Sequence, residues 1–176
     1  MTRKPPSKSP VRKRLDGYWK LEVANAALIP AFVVAMSHIY GEGAGWLTWL
    51  ALFPTAGLLL VGGLYWRGKL RALEGSERAL DAALRLADKA QWPSLVLSLL
   101  SVALVLADLL FGLPGVTGTD RWAAGGSGIL ALLEYVNYYH RQLQHFDNAA
   151  DFKRLLTGRG MRPAKMAVDL AAWRGD

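Results

Sequence analysis

The chain has 176 residues, no Cys, 21 Lys+Arg against 14 Asp+Glu, and a formal net charge of +7; 52% of it is hydrophobic and 20% charged. The length suits one domain or one small membrane bundle. The charge is crowded into three blocks with long apolar runs between them, which excludes a disordered chain, a disulfide scaffold and a soluble globular fold, and leaves no thiolate for catalysis, metal binding or redox switching.

The tail Met1–Arg14 is rich in Pro, Ser and Lys/Arg and reads as disordered; residues 1–19 form a basic tail ahead of the apolar part. The first apolar run, Val23 to Tyr40, holds no charge unless His38 is protonated, and Pro30 predicts a kink. No small-x-small cleavage site follows Val33–Met36, so this run reads as a span and not as a leader. Gly41–Gly45 is a short connection, and Trp46 to Trp66 is a second run without an ionisable group. A spanning helix needs about 20 mostly apolar residues, so both runs fit the bilayer.

Residues Arg67–Leu73 extend the second helix until Gly75 breaks it. Ser76 is placed to cap a new helix with Glu77 in its first turn. Leu80, Ala83, Leu84 and Ala87 fall on one face of it, an amphipathic pattern. Pro93 suits the first turn of a third span, Trp92 to Phe111. This span carries Ser94, Ser98, Ser101 and Asp108 at spacings that keep them on one side.

A fourth span is expected from Trp122 to Tyr139, with Ala124, Ser127, Ala131, Glu134, Tyr138 and Arg141 on one stripe and Gly125, Gly126 and Gly128 beside its start. From Tyr135 to about Thr157 nothing interrupts a helix, so this one is predicted to run on until Gly158. A last short helix is predicted from Ala164 to Trp173, with Ala167, Leu170, Ala171 and Trp173 as its apolar side. Tyr18, Trp19, Tyr40, Trp46, Trp66, Trp92, Trp122, Tyr138 and Tyr139 stand near the proposed boundaries, where amphipathic rings sit at the headgroups.

The predicted architecture is therefore an all-α integral membrane four-helix bundle: a transmembrane domain over residues 20–142 and a helical C-terminal segment over 143–176. Seven basic residues lie before the first span, six between the second and third, and seven after the fourth; only Arg121 is left over. The positive-inside rule then puts both termini in the cytoplasm, in a multi-pass protein of the inner membrane. The basic blocks call for anionic lipid and not for nucleic acid.

Polar groups inside the spans are the clues to activity, because each is costly in hydrocarbon. Depth separates Asp108 from Glu134, so two clusters are expected. One joins Asp108 to His38 near the outer ends of their helices. The other joins Glu134 and Asn137 to Asn25, with Tyr138 and Arg141 as further members. The serines read first as packing and interhelical hydrogen-bonding residues. No phosphate loop, nucleophile elbow or His-Glu-x-x-His is present, and no cofactor is expected. His140, Gln144, Asp147 and Asp151 form a line that fits a solvated helix face better than a metal site. The functional expectation is a non-enzymatic accessory subunit or a self-associating scaffold, a homo-oligomer or part of a larger membrane assembly. The alternative is an oligomeric proton or cation channel lined by Asp108 and Glu134.

Overall fold

A computed structural model of the chain describes residues 10–143 and 161–175. Among the described residues it is all-helical, with five helices: α1 (Pro10–Tyr40), α2 (Trp46–Leu73), α3 (Glu77–Phe111), α4 (Gly118–Tyr139) and α5 (Lys165–Arg174). Three of them, α1, α2 and α3, are long and apolar enough to cross a membrane. The expected fourth span, α4, is 22 residues long but does not reach that apolarity. Gly125, Gly126, Ser127 and Gly128 dilute its first half, and Glu134 and Asn137 its second.

Helix α2 is the centre. It packs against α1, α3 and α4, and 61% of its most apolar stretch is buried, against 28% for α3 and 11% for α1. Two cores result. At one end Leu47 and Ala51 of α2 meet Val105 of α3 and Ala124 of α4. At the other end Leu58 and Tyr65 of α2 meet Leu84 and Ala87 of α3, Tyr135 of α4, and Met166 of α5. The outward faces stay apolar: Leu28 and Phe32 on α1, Leu110 and Phe111 on α3, and Trp122 on α4 are all exposed. In water such faces would drive aggregation, whereas lipid tails accept them.

Three boundaries and one helix face differ from the sequence reading. Helix α1 begins at Pro10, so residues 10–19 of the expected tail are helical; residues 1–9 lie outside the described residues. Pro at a helix start costs nothing, because its missing N–H has no partner there anyway. Helix α3 is one rod of 35 residues in which Pro93 is internal, not a capped helix followed by a separate span. The carbonyl this proline frees belongs to Lys89, which is exposed and open to solvation. Helix α4 stops at Tyr139 and does not run toward Thr157. There the Asn137 side chain accepts the Leu143 N–H at 2.9 Å, and residues 140–142 pair antiparallel with 162–164: the Gln142 N–H donates to Arg162 O (3.0 Å) and the Ala164 N–H to His140 O (3.1 Å). Residues 144–160, including Gln144, Asp147 and Asp151 of the considered metal line, lie outside the described residues. Helix α5 buries Leu170, which belongs to the expected apolar side, together with Met166, which does not, while Ala167, Ala171 and Trp173 are not buried. Full burial of a side chain like Leu170 or Met166 contributes about 1.5–3 kcal/mol.

Prolines also shape the middle of the bundle. Pro54 lies inside α2 and has no N–H for the carbonyl of Leu50. The Ser101 hydroxyl of α3 reaches that carbonyl at 3.5 Å while donating at 2.8 Å to Leu97 O of its own helix. Next to Pro54, the Thr55 hydroxyl lies 2.9 Å from both Ala51 O and Ser127 O, which ties α2 to α4.

Candidate functional site

The polar residues fall at the two ends of the bundle and do different things there. At the end remote from α5, Asp108 is almost fully buried and bound on both carboxylate oxygens. One accepts the Leu113 N–H at 2.8 Å, and the other is paired with Arg121. His38 is not its partner. That ring is exposed and hydrogen-bonds Val34 O within its own helix at 2.8 Å. The expected Asp108–His38 cluster is thus not brought together, because α1 packs mainly on α2 whereas Asp108 turns toward the α3–α4 connection.

A second carboxylate at this end lies outside the residues the sequence pattern singles out. Asp120 is fully buried in the first turn of α4. Its carboxylate accepts the Thr48 N–H at 2.8 Å, the Leu47 N–H at 3.3 Å and the Thr48 hydroxyl at 2.6 Å. It therefore caps the start of α2 from another helix, since a helix leaves its first N–H groups without intrahelical partners. Gly45 makes the approach possible: a Cβ there would overlap the Asp120 carboxylate. The available signal was Thr117-x-x-Asp120, a cap signature, and the Thr117 hydroxyl does accept the Asp120 N–H at 3.1 Å.

The serines of α3 all face inward, as their spacing predicts. Ser98 donates to Ser94 O at 2.7 Å, and Ser101 bridges toward α2 as described. They fill and fasten a helix contact. Ser127 of α4 is also buried, and its hydroxyl has no hydrogen-bond partner among the described residues.

At the α5 end, Glu134 meets Asn137, whose amide donates to it at 3.3 Å. Asn25, the expected contribution of α1, is half-buried and makes no hydrogen bond to Glu134. Its place is taken by Glu22, three residues earlier and 8% exposed. Tyr138 of α4, 4% exposed, lines one small cavity together with Glu22. Its hydroxyl has no hydrogen-bond partner within bonding geometry among the described residues. Two adjacent glycines of α2 seat the group. A Cβ on Gly62 would overlap the end of the Tyr138 ring, and one on Gly63 would press on Val23 and on the Cβ of Glu22 at 3.3 Å. Three helices therefore converge at one small-residue pair. Beside them is a cavity of about 40 Å³ lined by Glu22, Tyr65, Trp66, Asn137, Tyr138 and Lys165, among others.

Helix α5 closes this end. Tyr65 donates to Asp169 at 2.5 Å, and Lys69 pairs with the same carboxylate oxygen at 2.6 Å. Arg174 pairs with Asp88 and donates to Gln91 at 2.7 Å. The Trp173 indole donates to Asp81 at 2.9 Å. That bond first, and the Arg85 guanidinium second, hold the Asp81 carboxyl below its ordinary pKa. Arg141, a further expected member of the Glu134 cluster, points away and donates to Met161 O at 3.2 Å.

No group of three His, Cys, Asp or Glu side chains suited to a metal ion occurs among the described residues. Comparison with protein-family models, with curated proteins and with solved structures finds no match.

Proposed function

We propose that this is a small multi-pass membrane protein of the inner membrane that acts without catalysis, by contact, as a self-associating scaffold or an accessory subunit. On this reading α4 is a fourth span, both termini lie in the cytoplasm, and the three basic blocks meet anionic headgroups there. The observation that carries it is the loose seating of α1. This helix leans on α2, barely touches α4, and leaves between α1 and α4 an apolar groove of about 700 Å³. Phe32, Met36, Trp122, Gly126 and Leu130 line it, and small residues next to large ones suit a helix from a neighbouring protein. Meanwhile Asp108 and Asp120 are consumed by bonds within the chain, which fits support better than turnover.

The chain has no cysteine, so a single introduced one reports alone. Phe32→Cys is expected to form a disulfide-linked dimer in native membranes under mild oxidation. Leu110→Cys, equally open to lipid on α3, is the collision control. Equal cross-linking of both, or none at Phe32→Cys together with a monomeric mass in native nanodiscs, would remove the self-associating form of this reading.

The cation-path alternative keeps one specific support. Glu134 is held by the Asn137 amide and has no ion pair among the described residues, whereas Asp108 is committed to Arg121.

A further inference from the structure

Helix α2 meets the start of α3 through small residues. A Cβ on Gly68 would stand 3.0 Å from the Cβ of Ala83 and 3.1 Å from the Ala79 carbonyl oxygen, so the two backbones lie close. The contact leaves a groove of about 350 Å³ along the surface of the bundle, lined by Gly68, Ala79, Ala82 and Ala83. Its two ends differ. Leu64 and Leu86, both exposed, form the end nearer the middle of the bundle. Arg67 and Arg71, also exposed, form the end nearer the α2–α3 turn.

The arginines are short of acceptors. Arg67 makes no ion pair among the described residues. Its guanidinium lies over the Trp19 ring, 5.4 Å from the centroid, and stacking leaves the N–H edge open. Arg71 reaches one Glu74 oxygen only at 3.4 Å, and Arg12 holds the other oxygen of that carboxylate. No Asp or Glu among the described residues lines the groove. Arg78 and Lys89 fall on the same side of α3 as Ala82 and Leu86, at spacings of four, four and three. The charge that complements this end is therefore negative.

Position names the occupant. Arg67 follows directly on the apolar run that ends at Trp66, and Tyr18 packs on Trp66 with ring centroids 5.3 Å apart, an aromatic pair of the kind that sits at the headgroups. A phospholipid satisfies both ends of the groove at once. Its phosphate accepts the forked N–H groups of a guanidinium, and its chain continues past the two leucines toward the hydrocarbon. A zwitterionic headgroup would bring an ammonium to the same cations, so an anionic one is favoured.

We propose that the α2–α3 groove is a binding site for one anionic phospholipid, with its phosphate on Arg67 and Arg71 and one acyl chain along Leu64 and Leu86. The site rests on the membrane reading above, with this end in the cytoplasm, and narrows a diffuse attraction for anionic headgroups to one seat. It is separate from the groove between α1 and α4, so its failure leaves the contact reading standing, and cross-linking at Phe32→Cys tests that reading alone.

The test is native mass spectrometry of the full chain in detergent micelles with added phosphatidylglycerol or phosphatidylcholine. The wild type is expected to retain one phosphatidylglycerol at least about tenfold more tightly than phosphatidylcholine. Arg67→Gln and Arg71→Gln are each expected to weaken it about five- to tenfold, the scale of one basic contact at a membrane surface. Lys13→Gln removes the same charge from an exposed position on α1 and is expected to leave retention unchanged. Ala82→Trp keeps every charge but fills the groove, and is expected to abolish the preference. Glycerol phosphate, the headgroup without chains, is not expected to compete. Equal retention of the two lipids by the wild type would leave the arginines to an acidic protein segment and overturn the site. Equal weakening by Lys13→Gln, or displacement by glycerol phosphate at matched concentration, would overturn it too. A chain that stays dispersed without detergent would remove the membrane reading and the site with it.

Discussion

The carboxylate of Asp120 receives the backbone N–H of Thr48, a residue 72 positions earlier in the chain, at 2.8 Å, and so caps a helix to which it does not belong. The Thr48 hydroxyl returns to the same oxygen at 2.6 Å. Asp120→Ala leaves two buried N–H groups without their acceptor, while the Thr48 hydroxyl keeps only the residue-120 carbonyl at 3.2 Å. The expected loss is about 2–3 kcal/mol, the scale of a lost cap plus an unsatisfied buried donor. Asp120→Asn keeps an acceptor and is expected to fall between wild type and alanine. Unfolding in mixed detergent micelles, followed by circular dichroism, measures the order.

Arg121 is the one basic residue outside the three blocks, and it pairs with the buried Asp108. Arg121→Gln strands that carboxylate and is expected to lower the thermal midpoint in detergent. Adding Asp108→Asn to the same chain is expected to restore part of the loss, because the amide does not need a counter-charge. Additive losses in the double variant would show that the pair is not coupled.

The glycine pair of α2 separates two kinds of substitution. Gly62→Ala drives a methyl group into the Tyr138 ring and is expected to destabilise by about 1–3 kcal/mol. Gly17→Ala, inside α1 with nothing nearby, is expected to stabilise by about 0.5–1 kcal/mol through helix propensity alone. Opposite signs in the same unfolding assay are the expected result.

The docking of α5 depends on pH with a definite sign. Asp81 has its pKa lowered by the Trp173 indole and then by Arg85. Its contribution is complete above the unfolded value of about 3.9 and is lost as the pH falls through the depressed folded value. Asp88 and Asp169 on the same side pair with Arg174 and Lys69 and hold the same helix. Asp81→Asn is therefore expected to expose α5 to hydrogen exchange more than wild type at neutral pH, and to converge with it in acid. A constant difference across the range would contradict the assignment.

Periodicity made the inward face of α3 legible, from Ser94 through Ser98 and Ser101 to Asp108, because a helix repeats its faces whatever packs on them. The partners of those residues were less legible. Glu22 is hard to single out because it falls one residue before the first apolar run, although helix α1 continues through it without a break. Asp120 is illegible as a cap of α2 because one chain pattern does not reveal which helix start lies beside it. The end of α4 was misjudged for the same reason. The Asn137 side chain taking the Leu143 N–H and the pairing with residues 162–164 stop it at Tyr139, and neither is a helix-breaking residue.

Helix α3 has 35 residues and therefore measures roughly 52 Å at about 1.5 Å per residue, well beyond a hydrocarbon layer of about 30 Å. Such a beam reaches from the platform where α5 rests to the far rim at Asp108. Pro93, its one proline, removes one internal hydrogen bond and is where a bend in this beam costs least.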